Sequence, residues 1–183
     1  MSVTISKKMC MIGDFGVGKT SMIRRFVDRQ FSDQYLSTVG VKISRKSIVL
    51  ENSTRQEIVT AQLLIWDLEG HTKFKGIAPT YLQGAGGVLI VADVSRSETV
   101  ERISEHIQLF SSVNPKGSII IALNKVDLID EEKLALLVEI AHSIGQDKVV
   151  AVYTTSAKTG KDVDEIFHKL AHTMIEQVSE TSA

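Results

Sequence analysis

The chain has 183 residues, of which 43% are apolar and 23% are charged. At roughly 150 residues per domain, this length predicts one domain, large enough to bury a core without a disulfide or a structural metal. Cys10 is the only cysteine, which excludes an intramolecular disulfide and is typical of a reducing cytosol. The 21 basic and 22 acidic residues nearly cancel, which argues against a broad nucleic-acid-binding surface.

The sequence contains no pattern typical of export or of membrane attachment. Its longest apolar runs, residues 88–92 and 119–123, are far shorter than the ~20 residues that a membrane-spanning helix needs. Residues 180–183 include no cysteine for prenylation, and residue 2 is not the glycine that myristoylation requires. We therefore expect a cytoplasmic protein without a direct lipid anchor, either soluble or recruited to membranes through a partner.

Strand and helix patterns alternate along the chain, which predicts an α/β fold. The strand-like segments are residues 9–12, 41–50, 57–66, 88–92, 119–123 and 149–153, and the helical ones are 20–29, 98–110, 131–144 and 163–178. A further short helix starts near Pro79. We expect a doubly wound, mostly parallel sheet of about six strands flanked by about five helices, with one antiparallel pair near 41–66. Residues 1–178 then form the domain, and 179–183 form a short disordered tail.

The first strand is followed by a phosphate-binding loop. Residues 13–20 read Gly-Asp-Phe-Gly-Val-Gly-Lys-Thr, which matches G-x-x-x-x-G-K-[ST] between a strand and a helix. Glycines allow the backbone N–H groups to surround a phosphate, and the helix N-terminus adds positive potential. The pattern predicts that Lys19 reaches the β- and γ-phosphates and that the Thr20 hydroxyl binds Mg²⁺.

A second motif selects the base. Residues 124–127, Asn-Lys-Val-Asp, follow a predicted strand, and the Asp127 carboxylate there accepts hydrogen bonds from guanine N1–H and the exocyclic amine. Adenine offers neither donor at these positions, and each unmatched buried polar group costs roughly 1–3 kcal/mol. The Lys125 stem can lie over the base. In residues 155–158, Thr-Ser-Ala-Lys, the Ala157 N–H can donate to guanine O6. The sequence thus predicts a site for GTP and GDP.

With these motifs the sequence resembles the small GTPases of the Ras superfamily over essentially its whole length. It is most similar to the Rab-type branch, through Gly-Asp at 13–14, Tyr-Leu-Ser-Thr-Val-Gly-Val at 35–41 and Trp-Asp at 66–67. The resemblance implies a G domain that acts as a Mg²⁺-dependent guanine-nucleotide switch and hydrolyses GTP to GDP and phosphate. It also implies a monomer that engages effectors, exchange factors and GTPase-activating proteins through switch regions near 31–41 and 67–83.

The resemblance also implies roles for individual residues. Phe31 stacks near the guanine, Thr38 closes on Mg²⁺ and the γ-phosphate, and Asp67 holds Mg²⁺ through water. The implied catalytic residues are Lys19, Thr38, Gly70 and His71. The implied nucleotide-binding residues are Asp14, Phe15, Gly16, Val17, Gly18, Lys19, Thr20, Ser21, Phe31, Tyr35, Thr38, Gly70, Asn124, Lys125, Asp127, Ser156, Ala157 and Lys158. Thr38 and Gly70 lie in polar segments that a γ-phosphate would order, which is typical of a switch.

Three residues around the γ-phosphate depart from the family pattern. His71 stands where a glutamine normally orients the attacking water. Two outcomes are open: a neutral His71 ring orients this water in the same way, or His71 does not orient it. Phe15 replaces a small residue and is expected to obstruct an arginine finger, which is worth about 10³–10⁵ in rate. Glu69 puts a carboxylate beside the phosphate unless it turns outward or meets Lys73 or Lys75. We therefore expect slow hydrolysis. The alternative is that these side chains rotate away and hydrolysis is ordinary for the family.

Two other functions remain open. The first is a GTP-locked or hydrolysis-deficient module that acts as an adaptor by presenting its switches to partners. The second is a P-loop ATPase or nucleotide kinase, which residues 124–127 disfavour. The nucleotide extracted from purified protein distinguishes them, because GDP supports the GTPase, GTP the adaptor, and ATP or ADP the last class.

Overall fold

The computed structural model describes residues 3–35, 37–52, 57–71, 76–145 and 147–181. Six strands form one sheet in the order β2-β3-β1-β4-β5-β6. The strands are β1 (Val3–Gly13), β2 (Val41–Asn52), β3 (Glu57–Leu68), β4 (Gly87–Asp93), β5 (Ser118–Asn124) and β6 (Val149–Thr154). The α-helices are α1 (Lys19–Asp28), α2 (Ser97–Glu101), α3 (Ile103–Val113), α4 (Glu131–Gly145) and α5 (Val163–Thr181), and short 3₁₀ turns span Pro79–Leu82 and Val126–Leu128.

The sheet has the predicted architecture. The β2–β3 pair is antiparallel, and every other pairing of neighbouring strands is parallel. All residues of β4 and β5 are buried, because helices cover both faces of the sheet. One core cluster holds the stacked rings of Phe26 from α1 and Phe167 from α5, and the other contains Phe110 from α3 and Leu137 from α4. The expectation of a doubly wound α/β fold is confirmed.

The single helix predicted over residues 98–110 is wrong, because the chain forms two helices there. Arg102 separates α2 from α3 with φ −77° and ψ −4°, a conformation that interrupts the helical ladder. The buried residues continue at helical spacing across the break, with Val100 before it and Ile103 and Ile107 after it. Apolar periodicity therefore gives no sign of the interruption.

The C-terminal helix is longer than the pattern indicates. α5 continues to Thr181, past residue 178, where the domain was expected to end. The division into a domain of residues 1–178 and a tail stays a prediction. In the described part of the chain, no helix is long and apolar enough to cross a membrane.

The topology places the functional loops along one edge of the sheet. The parallel strands β1, β3, β4, β5 and β6 end on this edge at Gly13, Leu68, Asp93, Asn124 and Thr154. Ligands of open α/β sheets bind outside the carboxyl ends of the strands, where such loops meet. The motifs identified in the sequence follow β1, β3, β5 and β6, so they share this edge.

Candidate functional site

The loop after β1 is built around backbone groups. Gly18, which precedes α1, has φ +102°, and a Cβ there would lie 2.4 Å from Asn124 Nδ2, so only glycine fits. No side chain caps the N-terminus of α1. The first N–H groups of the helix therefore face the loop, as in sites that bind phosphate.

Side-chain nitrogens hold the carbonyl groups of residues 13–17. Lys19 Nζ donates to Gly13 O (3.3 Å) and Asp14 O (2.8 Å), Arg96 Nη2 to Phe15 O (2.7 Å), Lys125 Nζ to Gly16 O (2.7 Å), and Asn124 Nδ2 to Val17 O (3.0 Å). In a trans peptide, the N–H points away from the carbonyl oxygen. Fixing these carbonyls therefore fixes the direction of the N–H groups between them.

A cavity of about 270 Å³ lies beside this loop. It is lined by most of the residues predicted to bind nucleotide, namely Phe15, Gly16, Gly18, Lys19, Thr20, Ser21, Phe31, Tyr35, Thr38, Gly70, Asn124, Lys125, Asp127, Ala157 and Lys158. It is also lined by Ser32, Asp33, Gln34, Leu68 and Leu128, which the sequence did not single out. The predicted residues Asp14, Val17, Asp67, His71 and Ser156 do not line it.

Lys19 is a buried cation at the start of α1. Burial lowers the pKa of Lys19 to about 8, although Asp67 and Asp14 act in the opposite direction. A bound anion would favour the charged form. The site therefore has an electrostatic preference for a phosphate next to Lys19.

Three oxygen-bearing side chains meet below the loop. Thr20 Oγ1 donates to Asp67 Oδ2 (2.5 Å) and lies 2.8 Å from Thr38 Oγ1. Burial raises the pKa of Asp67, and the hydrogen bonds from Thr20 and Thr38 only partly offset this. Asp67 Oδ1 is buried without a hydrogen-bond partner among the described residues. Hydroxyl and carboxylate oxygens with one acceptor unused fit a hard divalent cation such as Mg²⁺.

At the other end of the cavity, the loops after β5 and β6 support each other. Asn124 Oδ1 accepts from Thr155 Oγ1 (3.2 Å) and from the Ala157 N–H (3.3 Å). Ser156 Oγ donates to Asp127 Oδ1 (2.6 Å). Ser156 thus orients the carboxylate predicted to read guanine, instead of facing the cavity. The Ala157 N–H, predicted to donate to guanine O6, makes a long bond to Asn124.

Arg25 of α1 also holds the loop after β6, although no sequence motif includes it. Its Nε donates to Ala157 O (2.8 Å), and its Nη2 donates to Lys158 O. Its guanidinium lies 5.9 Å from the centroid of the Phe31 ring. Arg25 therefore connects the two segments predicted to surround the base.

Asp93 is a second residue that supports the loop and that no sequence motif includes. Its Oδ2 lies 2.7 Å from Lys125 Nζ and 3.3 Å from Arg96 Nε. Burial alone would raise the pKa of Asp93, but hydrogen bonds from Lys125 and Ser95 outweigh it and lower the pKa. Asp93 thus positions two of the cations that hold the phosphate loop. A charged residue at the end of the apolar strand β4, on the ligand edge, was the available signal.

Phe15 and Tyr35 cover the outer side of the loop. The Phe15 side chain is 42% exposed, and its ring packs on the Tyr35 ring with centroids 5.3 Å apart. Arg96 lies at the same part of the loop, because its Nη2 donates to Phe15 O and is 3.7 Å from the position that a Cβ on Gly16 would take. Phe15, Tyr35 and Arg96 therefore form one cluster of side chains at this loop.

Glu69 turns away from the loop toward the first switch. Its Oε2 accepts a hydrogen bond from the Gly40 N–H (3.1 Å), and its own N–H donates to Gly40 O (2.8 Å). This is the outward orientation that the sequence analysis allowed. Lys73 and Lys75, the other predicted partners, lie outside the described residues.

His71 and Asp14 point away from the cavity. The His71 N–H donates to Gly13 O (3.0 Å), and the Phe15 N–H donates to His71 O (3.0 Å). The His71 ring lies edge-on to the His106 ring of α3, with centroids 5.9 Å apart. Asp14 Oδ1 is 3.1 Å from His106 Nε2. The structure therefore does not bring either side chain to the cavity, and the catalytic role of His71 stays a prediction.

Comparison with known proteins gives consistent matches over nearly the whole chain. A family model described as the Ras family matches residues 8–176. The chain is 31% identical to the GTP-binding protein ypt5 of Schizosaccharomyces pombe, over 92% of this chain and 78% of that protein. It is 33% identical to the Ras-related protein RABF2b of Arabidopsis thaliana, over 92% and 80% respectively. It is 35% identical to the Ras-related protein Rab-1C of Dictyostelium discoideum, over 90% and 78%.

Proposed function

The chain belongs to the Ras family of small GTPases, which are GTP hydrolases, and we propose that it is a Mg²⁺-dependent guanine-nucleotide switch with slow hydrolysis. The relatives of this chain include Rab-type proteins. One observation carries the proposal. A single cavity is lined by the phosphate loop at one end and by Asp127 at the other. A nucleotide that bridges these ends would be read at both its phosphates and its base.

Lys19 and the loop N–H groups bind the phosphates in this proposal. The Lys19 ammonium stabilises the negative charge that develops on the β- and γ-phosphates as water attacks the γ-phosphorus in line. The bond from that phosphorus to the bridging oxygen breaks, giving GDP and inorganic phosphate. The Gly70 N–H contacts the γ-phosphate. A Cβ on Gly70 would lie 2.6 Å from Phe15 Cα, so no larger residue fits there.

Thr20, Thr38 and Asp67 would hold Mg²⁺, with Asp67 acting through water. The support is the cluster of their oxygens and the unused Oδ1 of Asp67. When bound, Mg²⁺ supplies positive charge to the phosphate oxygens. Thr38 belongs to the first switch, so its participation would make the position of that segment depend on the nucleotide.

The base lies between Phe31 and the Lys125 stem, with Asp127 accepting from the guanine ring. Ser156 supports this role because its hydroxyl fixes one Asp127 oxygen. Arg25 supports it by joining the Ala157 carbonyl to the Phe31 side of the cavity. The Asp127 carboxylate favours guanine over adenine, because guanine offers it the N1–H and the exocyclic amine as donors and adenine offers neither at these positions.

Slow hydrolysis is supported by the surroundings of the γ-phosphate position. His71, the residue proposed to orient the attacking water, does not line the cavity. The Phe15 and Tyr35 rings pack together beside the cavity, and in this proposal they obstruct an arginine finger. The same observations favour a second candidate function, a GTP-locked adaptor that presents its switches without turnover.

The exposed apolar residues of the first switch and of β2 are the proposed surface for effectors, exchange factors and activating proteins. Val39 is 83% exposed, Tyr35 60% and Ile43 48%. We place the protein in the cytoplasm as a monomer, recruited to its site of action by such partners. The buried thiol of Cys10, whose pKa burial raises to about 12, is inert and compatible with that compartment.

Single-turnover GTP hydrolysis, measured with and without Mg²⁺, tests the proposal. We expect slow hydrolysis that becomes slower still when Mg²⁺ is chelated. The double variant His71→Gln with Phe15→Ser should be faster than wild type, while the control Val150→Ser, on the exposed edge strand β6, should match it. Equal rates in wild type and double variant would contradict the account of slow hydrolysis. No hydrolysis in any of them would favour the adaptor.

A further inference from the structure

Helix α3 presents a buried histidine to the phosphate loop and to the second switch. The His106 side chain is 3% exposed and lies between the Asp14 carboxylate and the His71 ring. Asp14 Oδ2 is also 3.3 Å from Arg102 Nη1, one turn earlier at the start of α3. The resemblance and the motifs assign no role to His106 or to Arg102.

We propose that His106 is a positioning residue that holds the His71 ring outside the nucleotide cavity and thereby slows GTP hydrolysis. The inference rests on the proposed function, in which His71 orients the attacking water. Its direct observation is the edge-to-face contact of the two rings, with centroids 5.9 Å apart and planes inclined by 79°. This is a favourable geometry for an aromatic pair.

The orientation of His106 is itself fixed. His106 Nε2 lies 3.1 Å from Asp14 Oδ1, and with the carboxylate oxygen as acceptor the ring nitrogen is the donor. Arg102 occupies the second carboxylate oxygen. Asp14 lies in the phosphate loop, so the His106 ring is held relative to the same backbone that is proposed to bind the phosphates.

The backbone of His71 is fixed to this loop as well, but its side chain is not. The two hydrogen bonds to Gly13 O and from the Phe15 N–H fix the position of the His71 main chain. The ring can still change direction by rotation about the Cα–Cβ bond, without breaking either bond. In this proposal the contact with His106 favours the observed rotamer over one that turns toward Gly70 and the cavity.

The size of the effect follows from the strength of such contacts. An aromatic pair shifts the balance between two side-chain orientations by about two- to tenfold. Removing the His106 ring should raise the fraction of His71 that faces the cavity, and the hydrolysis rate, by the same factor. Binding of nucleotide should change little, because neither ring lines the cavity.

The test is single-turnover GTP hydrolysis by His106→Gln, which keeps an N–H donor for Asp14 but removes the ring. A second variant, His106→Leu, fills the space with an aliphatic chain in case the first does not fold. His142→Gln, on the exposed face of α4, is the matched control. We expect a two- to tenfold gain in either His106 variant, none in the control, and no gain when His71→Ala is also present. An equal gain in the His71→Ala background, or no gain at all, would overturn the proposal.

The chemical shifts of the His71 ring protons, assigned with the His71→Ala variant, provide a readout independent of turnover. They should move in His106→Gln and not in His142→Gln, because only the first loses the neighbouring ring. An unmoved signal would overturn the contact itself. If the ring signal moves but His71→Ala hydrolyses GTP as fast as wild type, the contact stands and the proposed catalytic role of His71 fails.

Discussion

Lys19 is a buried cation whose charge is disfavoured while no phosphate is bound. With its pKa lowered to about 8, Lys19 of nucleotide-free protein is increasingly neutral above that pH, whereas phosphate oxygens would keep the ammonium charged in the complex. Binding of GDP should therefore take up a proton near pH 9, and the affinity should fall by up to about tenfold per pH unit above 8. Calorimetry in two buffers with different ionisation enthalpies measures the uptake. No proton uptake at this pH would show that Lys19 is already charged in nucleotide-free protein.

Arg96 provides a second prediction on a single side chain. It donates to Phe15 O and is itself held by Asp93, so Arg96→Ala removes a charge-assisted bond from the phosphate loop. Because Arg96 is partly exposed, we expect a modest effect of about 1 kcal/mol, or GDP release about fivefold faster. Stopped-flow release of a fluorescent GDP analogue measures this rate. Arg45→Ala, on the exposed part of β2, is the control and should release GDP at the wild-type rate.

Contacts of single residues were predictable only where they lie within contiguous motifs. The phosphate loop and residues 124–127 were identified because each motif carries its chemistry in a few adjacent positions. Arg96 and Phe15 are 81 positions apart, and Arg25 and Ala157 are 132 apart, so no local pattern joins them. The direction of the His71 ring depends on α3, and the motif around His71 contains no information about it.

Between elements, Glu69 joins the ends of the two switches. Its side chain and its N–H make a reciprocal pair with Gly40, which extends the antiparallel β2–β3 pairing by one position. Glu69→Ala should therefore increase amide hydrogen exchange at Gly40 by about fivefold, consistent with a lost bond of about 1 kcal/mol. Glu69→Gln keeps an acceptor oxygen, so the Gly40 amide of this variant should exchange at close to the wild-type rate. Equal protection of the Gly40 amide in wild type and in the alanine variant would show that the backbone bond from the Glu69 N–H to Gly40 O alone keeps the two segments together.

The order and type of the elements followed from the sequence, because buried parallel strands are short apolar runs and the helices show clear periodicity. The boundaries of the helices and strands did not follow from the sequence. Strands extend past their apolar cores where neighbouring strands supply hydrogen bonds, as β1 does from Val3 to Gly13 beside β3. The break at Arg102 depends on backbone conformation, to which the pattern of buried residues is insensitive.

In the whole molecule, the parallel strands bring motifs from four separate segments to one edge of the sheet. The predicted site residues come together because the topology of the sheet, rather than any single residue, decides which loops meet. The cavity extends from the loop predicted to bind phosphate to Asp127, which is predicted to read the base, and the described parts of the proposed switches lie beside it. This arrangement is what makes the nucleotide the central ligand in the proposed function.

Competition binding with GDP and ADP tests that claim most directly. Two hydrogen bonds to the Asp127 carboxylate should favour GDP by about 10²- to 10⁴-fold, and Asp127→Ala should lose most of this preference. The measurement is displacement of a fluorescent GDP analogue from the Mg²⁺-loaded protein by unlabelled GDP or ADP. The account predicts displacement by GDP at concentrations at least 100-fold lower than those of ADP. Equal displacement by ADP would contradict it.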